Sequence, residues 1–197
     1  MQIHIEELTQ KELFRPMDFD RLRGIFANLL RTLESQKSSV VTLAGTNGKG
    51  ETAHNLMRLA TESKKFSKIM MWTSPHIYEF SERFNLNGKN ITYHELMHSL
   101  HTFLQIYPQN SIGLSFYELS FWLFCHQASL KKPDLIILEV GLGGRLDAVN
   151  LLNASVPIIT SISRDHTEFL GKNLKSILME KIQIVRPNSY LIYSVRT

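Results

Sequence analysis

The chain holds one cysteine, Cys125, in 197 residues, so no disulfide can form within it. That excludes the stapled frameworks of small secreted domains and fits a reducing, cytoplasmic setting. No run approaches the roughly 18 consecutive apolar residues of a membrane span. The longest, such as Phe121-Trp122-Leu123-Phe124-Cys125, suit a buried helix. The first residues, with Gln2, His4, Glu6 and Glu7, lack the apolar segment of a secretory signal. Lys and Arg, 22 against 18 Asp and Glu, give a net +4 but gather into no basic tract. Neither a nucleic-acid nor a membrane partner is therefore expected, whereas a small polyanion would be welcome. Internal repeats and low-complexity segments are also lacking. What remains, 43% hydrophobic, is enough for one domain with a real core.

The glycines carry the first positive signal. Val40-Val41-Thr42-Leu43-Ala44 reads as an apolar strand and runs into Gly45-Thr46-Asn47-Gly48-Lys49-Gly50. A helical pattern follows over 52–63, with Ala53, Leu56, Met57 and Ala60 on one face. Strand, glycine loop, lysine and helix N-terminus together suit a phosphate group, because backbone N–H groups and the helix dipole face the anion. The pattern G-x-x-x-x-G-K-[ST] is not met, since Leu43 holds its first glycine position and Gly50 its last position.

Elsewhere, an N-terminal helix begins at Asp18, with Phe19, Leu22, Phe26, Leu29, Leu30 and Leu33 on one face. Further strands are expected at Lys68–Trp72, Leu135–Leu138, Ile158–Ile162 and Tyr190–Val195, and further helices over 93–107, 115–130 and 173–184. Continuous apolar strands alternating with helices imply an α/β fold, a mostly parallel sheet with helices on both faces. Ligands in such sheets sit beyond the C-terminal ends of the strands. The glycine loop, Ser74, Glu139 and Arg164-Asp165-His166 all follow strands, so these polar clusters should meet in one crevice.

Thr46–Gly50, Thr73-Ser74-Pro75-His76, Glu139–Ala148 (EVGLGGRLDA) and Asp165-His166-Thr167 occur in an order that resembles the folylpolyglutamate synthase/dihydrofolate synthase family of the Mur ligase superfamily. The similarity runs from about residue 18 to 187. It implies a P-loop-type, Mur ligase central-domain-like fold. It also implies an ATP-dependent ligase that phosphorylates a dihydropteroate or folate carboxylate and joins it to L-glutamate through the acyl phosphate. By the same resemblance Thr46, Asn47, Gly48, Lys49, Gly50, Glu51 and Thr52 bind ATP. Ser74, Glu139 and His166 hold Mg²⁺, and Lys49, His166 and Lys181 serve the chemistry. Lys181 matches a lysine that the family carbamylates. Ser115-Phe116-Tyr117-Glu118 and Leu146-Asp147-Ala148 match segments that contact the pterin substrate. Taken singly, these residues have plainer readings: Glu139 paired with Arg145, Lys181 facing solvent, Phe116 and Tyr117 in the core.

The chain also departs from the family. Glu51 stands where a Ser or Thr is usual, and at an effective dielectric of ~20 two like charges ~4 Å apart repel by about 4 kcal/mol. Arg164 replaces an apolar residue, and Ile182-Gln183 replaces Ala-Gly. The family normally continues well past this length into a C-terminal domain. Residues 1–197 are thus expected to be an ATP-binding domain lacking its C-terminal ligase domain, which a separate chain could supply. A non-catalytic nucleotide- or pterin-binding remnant is the alternative.

Two other motifs are weaker. Gly141-Leu142-Gly143 follows a strand, but Leu146 takes the place of the third glycine of a dinucleotide fingerprint. His94-Glu95-Leu96-Met97-His98, with His101 beyond, formally matches a zinc hydrolase motif. Thr92 and Glu95 fit a helix capping box instead, and no glycine precedes His101.

Overall fold

The computed structural model describes residues 18–194. The N-terminal residues read for a signal, and Val195 at the end of the expected last strand, lie outside the described residues. Helix α1, Phe19–Gln36, starts where Asp18 accepts a hydrogen bond from the Arg21 amide at 2.9 Å, and it buries Leu22, Phe26, Leu30 and Leu33. Strand β1, Ser39–Ala44, leads through the glycine loop to α2, Lys49–Ser63. The helix begins three residues earlier than its apolar periodicity suggests. Its first turn faces the crevice rather than the core, so no apolar residue marks it.

Strand β2 is Ile69–Trp72, and a short antiparallel hairpin follows: β3, Phe84–Leu86, and β4, Lys89–Asn90. Sequence periodicity does not reveal strands this short. The Asn87-Gly88 pair does signal them, and both residues adopt positive φ, 51° and 83°. Helices α3, Tyr93–Ile106, and α4, Phe116–Lys131, come next, then β5, Leu135–Glu139, and β6, Val156–Ile159. A single turn, α5, Thr167–Leu170, precedes α6, Leu174–Lys181, and the short edge strand β7, Ile192–Tyr193.

The seven strands lie in the order β4-β3-β2-β5-β1-β6-β7. Across the sheet, every pairing from β2 through β5, β1 and β6 to β7 is parallel. Successive side chains leave opposite faces of each strand. Leu43, Ile69, Met71, Leu135, Ile137 and Ile158 pack with Ala53 and Met57 of α2 on one face. Val40, Ala44, Met70, Trp72, Ile136 and Leu138 pack with α1, α3 and α4 on the other. The mostly parallel α/β reading therefore holds, with both faces covered. Strand β6 ends three residues before the expected Ile162, because residues 160–163 leave the ladder to bond the glycine loop. Among the described residues no helix is long and apolar enough to cross a membrane.

Candidate functional site

Registers Leu43↔Glu139, Trp72↔Leu138 and Ala44↔Ile159 bring the C-terminal ends of β1, β2, β5 and β6 to one edge. The glycine loop leaves β1 there. Gly48 caps α2 at φ 83°, a left-handed conformation that disfavours any side chain. The segment after β6 laces the loop down. The Thr46 amide donates to Ser161 O at 2.9 Å, and Thr46 Oγ1 both donates to Ser163 O at 3.1 Å and accepts from the Ser163 amide at 3.0 Å. The Asn47 amide donates to Ser161 Oγ at 2.9 Å, while Thr160 Oγ1 donates to Asn47 O at 2.7 Å. Thr46 and Asn47 thus hold the loop's shape. The first amides of α2 have no acceptor within the helix and point out of its end. The Thr52 hydroxyl donates to Gly48 O at 2.7 Å, and Glu51 is exposed without a hydrogen bond or ion pair among the described residues.

Two lysines meet at this loop. Lys49 Nζ donates to Gly45 O at 3.1 Å and Thr46 O at 3.3 Å. Lys181 Nζ, at the end of α6, donates to the same Gly45 O at 2.8 Å. Lys181 is only 5% exposed, against the solvent-facing position ordinary for a helical lysine. Burial, reinforced by the charge of Lys49 and opposed by Asp165, lowers its pKa from 10.5 to about 8.

Glu139 ends β5 with 6% exposure. Its Oε2 accepts the Ser74 amide at 3.0 Å, and Gly50 approaches so closely that a Cβ there would lie 3.5 Å from both carboxylate oxygens. Burial raises its pKa, while the Ser74 amide and the charges of Lys49, His54 and Arg83 oppose that. It does not pair with Arg145, which bonds Glu180 at 3.0 Å. Lys49, Gly50, Ser74 and Glu139 therefore share the crevice. His166 is half exposed, caps α5, and faces Asp165 at 3.7 Å; no contact joins it to Ser74 or Glu139 among the described residues.

The expected pterin-side residues form a second cluster. Asp147, 1% exposed, organises the glycine-rich loop after β5. Its Oδ2 accepts the amides of Gly141 (2.9 Å) and Leu142 (3.0 Å). Its Oδ1 accepts the Val149 amide (3.0 Å) and the Tyr117 hydroxyl (2.9 Å). Burial raises its pKa, and these donors oppose the rise. Gly141 lies so near Tyr117 that a Cβ would come within 2.9 Å of the ring. Ser115 and Glu118 close a capping box on α4, and Arg21 lies 3.8 Å from the Glu118 carboxylate. The S-x-x-E spacing announces that box in the sequence. Leu146 is half-buried and Ala148 buried, while the Phe116 ring covers the guanidinium of Arg83 at 5.3 Å. Arg83 itself carries no motif, and only its burial draws notice to it.

The zinc alternative gains nothing. The Thr92–Glu95 capping box is present, and Glu95 also pairs with Lys131. Among the described residues no group of three or more His, Cys, Asp or Glu side chains is placed to hold a metal.

No family model matches the chain. The dihydrofolate synthase/folylpolyglutamate synthase of Buchnera aphidicola subsp. Baizongia pistaciae is 41% identical over 170 residues, 84% of this chain and 38% of that protein. The Escherichia coli FolC structure in complex with DHPP and ADP aligns with 30% identity and a TM-score of 0.80, over 96% of this chain and 44% of that one. The bifunctional folylpolyglutamate synthase/dihydrofolate synthase of Yersinia pestis, complexed with AMPPNP and Mn ion, aligns equally well, at 30% and 0.80, over 95% and 44%. The chain thus spans less than half the length of these relatives.

Proposed function

The chain belongs to the dihydrofolate synthase/folylpolyglutamate synthase family, and from that premise we propose that it is the ATP-binding part of a carboxylate–amine ligase. Its reaction joins L-glutamate to dihydropteroate or a folate. A carboxylate oxygen of the acceptor attacks the γ-phosphorus of ATP, ADP leaves, and the glutamate amine then displaces phosphate from the acyl phosphate. The observation that carries the reading is the meeting of Lys49, the α2 N-terminus, Ser74 and Glu139 at one sheet edge. Relatives bound to ADP, AMPPNP and manganese support it.

In this reading the Lys49 ammonium and the backbone amides of Gly48, Gly50 and Glu51 cradle the β- and γ-phosphates. The site fits a hard divalent cation. Glu139 Oε1 accepts no hydrogen bond among the described residues, and Ser74 stands beside it in the same crevice. Glu139 and Ser74 would hold Mg²⁺, and His166, which precedes α5, is a third ligand by family resemblance alone; the ion would supply charge neutralisation around the γ-phosphoryl group. Lys181, less basic than a free lysine, is suited to take up carbon dioxide as a carbamate, which turns a buried cation into an anion. Leu146, Asp147, Ala148 and Ser115–Glu118 shape the wall on the pterin side. The adenine- and glutamate-binding contacts are left to a C-terminal domain beyond these residues, and the cytoplasm is the compartment.

Calorimetric titration with Mg-ATP tests the reading. Saturable binding by the wild type, lost in Lys49→Ala, is expected. Binding unaffected by Lys49→Ala would overturn it.

A further inference from the structure

Arg83 is a buried cation with most of its donors unspent. It ends the loop that starts at Ser74, and it is 7% exposed. The Thr73 amide donates to its carbonyl at 3.2 Å, which fixes it to the C-terminal end of β2 beside the crevice. Its Nε donates to His76 Nδ1 at 2.8 Å. The guanidinium carbon lies 5.3 Å from the centre of the Phe116 ring and 5.9 Å from that of Trp72. Among the described residues no carboxylate pairs with it, and its two terminal nitrogens have no hydrogen-bond partner. Burying a charge this way is costly unless something completes its bonding. The Glu139 carboxylate is close enough for its charge to act on the guanidinium, which sits beside the crevice that holds this candidate metal ligand.

The chemistry of a group that would complete its bonding follows from the surroundings. Two terminal nitrogens in one plane form a fork that matches the two oxygens of a carboxylate. Phosphate groups already have Lys49 and the α2 N-terminus on their side of the crevice. Around Arg83 stand rings instead: Phe116, Phe80 at 5.6 Å from Phe116, and His76 at 6.0 Å from Phe80. That setting favours a singly charged acid with an aromatic body.

We propose that Arg83 binds the carboxylate of the acyl acceptor, its two terminal nitrogens donating to the two carboxylate oxygens so that one oxygen faces the phosphoryl group. The assignment rests on the ligase reading and adds to it the residue that selects an acid.

Titration with pteroate and with its neutral carboxamide, beside Mg-ATP as a control, tests it. Wild type should bind pteroate at least about tenfold more tightly than the carboxamide, the gain expected of a charge-assisted pair. Arg83→Gln should lose that preference and keep its Mg-ATP affinity. Arg83→Lys, which retains the charge without the fork, should keep a small part of it, and it serves if Arg83→Gln does not fold. An undiminished preference in either variant, a wild type without preference, or an equal loss for both ligands would overturn the assignment while leaving Mg-ATP binding intact. Failure of the wild type to bind Mg-ATP would instead remove the ligase reading, and the assignment with it.

Discussion

At the residue scale, the site sets charges against burial. Glu51 has no partner to hold it among the described residues, in a helical turn that should face a triphosphate. Glu51→Ser is expected to tighten Mg-ATP binding, because a like charge leaves and a hydroxyl arrives; unchanged affinity in calorimetry would mean that the carboxylate points away. Lys181 offers a test by pH. Its folded pKa, about 8, lies below the ordinary 10.5, so the fold disfavours the charged form. The resulting penalty is absent above 10.5, grows as pH falls, and is complete once pH has passed below about 8. Lys181→Met should therefore gain stability relative to wild type as pH falls across that window, read as the difference in Tm between the two proteins at each pH. A constant difference would show that the amine is not desolvated. The depth of Lys181 could not be read from sequence: it occupies an ordinary helical position, and packing of α6 against the glycine loop sets its burial.

At the scale of elements, the capping signals proved the most legible feature. Asp18 and the Thr92–Glu95 pair are helix starts in sequence and in structure. Glu95 also receives Lys131 from the end of α4, so one carboxylate ties two helices together. The Lys131 bond first, then Thr92, lowers its pKa from 4.5 to about 2. Its stabilisation is complete above 4.5 and is lost as pH falls through about 2. Glu95→Gln should cost about 1 kcal/mol near neutrality, as lost caps and ion pairs do, and flatten the acid limb of the stability profile. Urea midpoints at the two ends of that window would show it. A parallel acid limb in the variant would assign the sensitivity to other carboxylates. The hairpin β3–β4 and the short β6 were less legible. Two- and three-residue strands carry no period, and residues 160–163 respond to a loop more than 110 positions away.

For the whole molecule, fold class and the order of clusters along the chain were legible because parallel strands are apolar throughout and their polar successors all fall at one edge. Which polar side chains work on substrate and which hold the scaffold was not. Asp147 gives no sequence sign of the bonds by which it holds the loop after β5. A ligase must hold glutamate against the acyl phosphate, a proximity advantage of up to ~7–11 kcal/mol in well-oriented reactions, and the chain spans less than half the length of its relatives. The isolated 197-residue chain is expected to make no glutamyl product from Mg-ATP, labelled glutamate and either acceptor. Robust product from the chain alone would show that it holds the glutamate site as well.

The alternation along β5 has a genetic consequence. Leu135, Ile137 and Glu139 share parity, and the first two face α2, so Glu139 comes off the strand on the side where Gly50 waits. Ile136 and Leu138 carry the opposite parity and face α4. Deleting one codon within β5 would hand the carboxylate to the wrong face, leaving the composition nearly untouched while moving it out of reach of the glycine loop. Removing two would restore the face and shorten the reach instead. For this strand, whether a length change is odd or even matters more than which residue is lost.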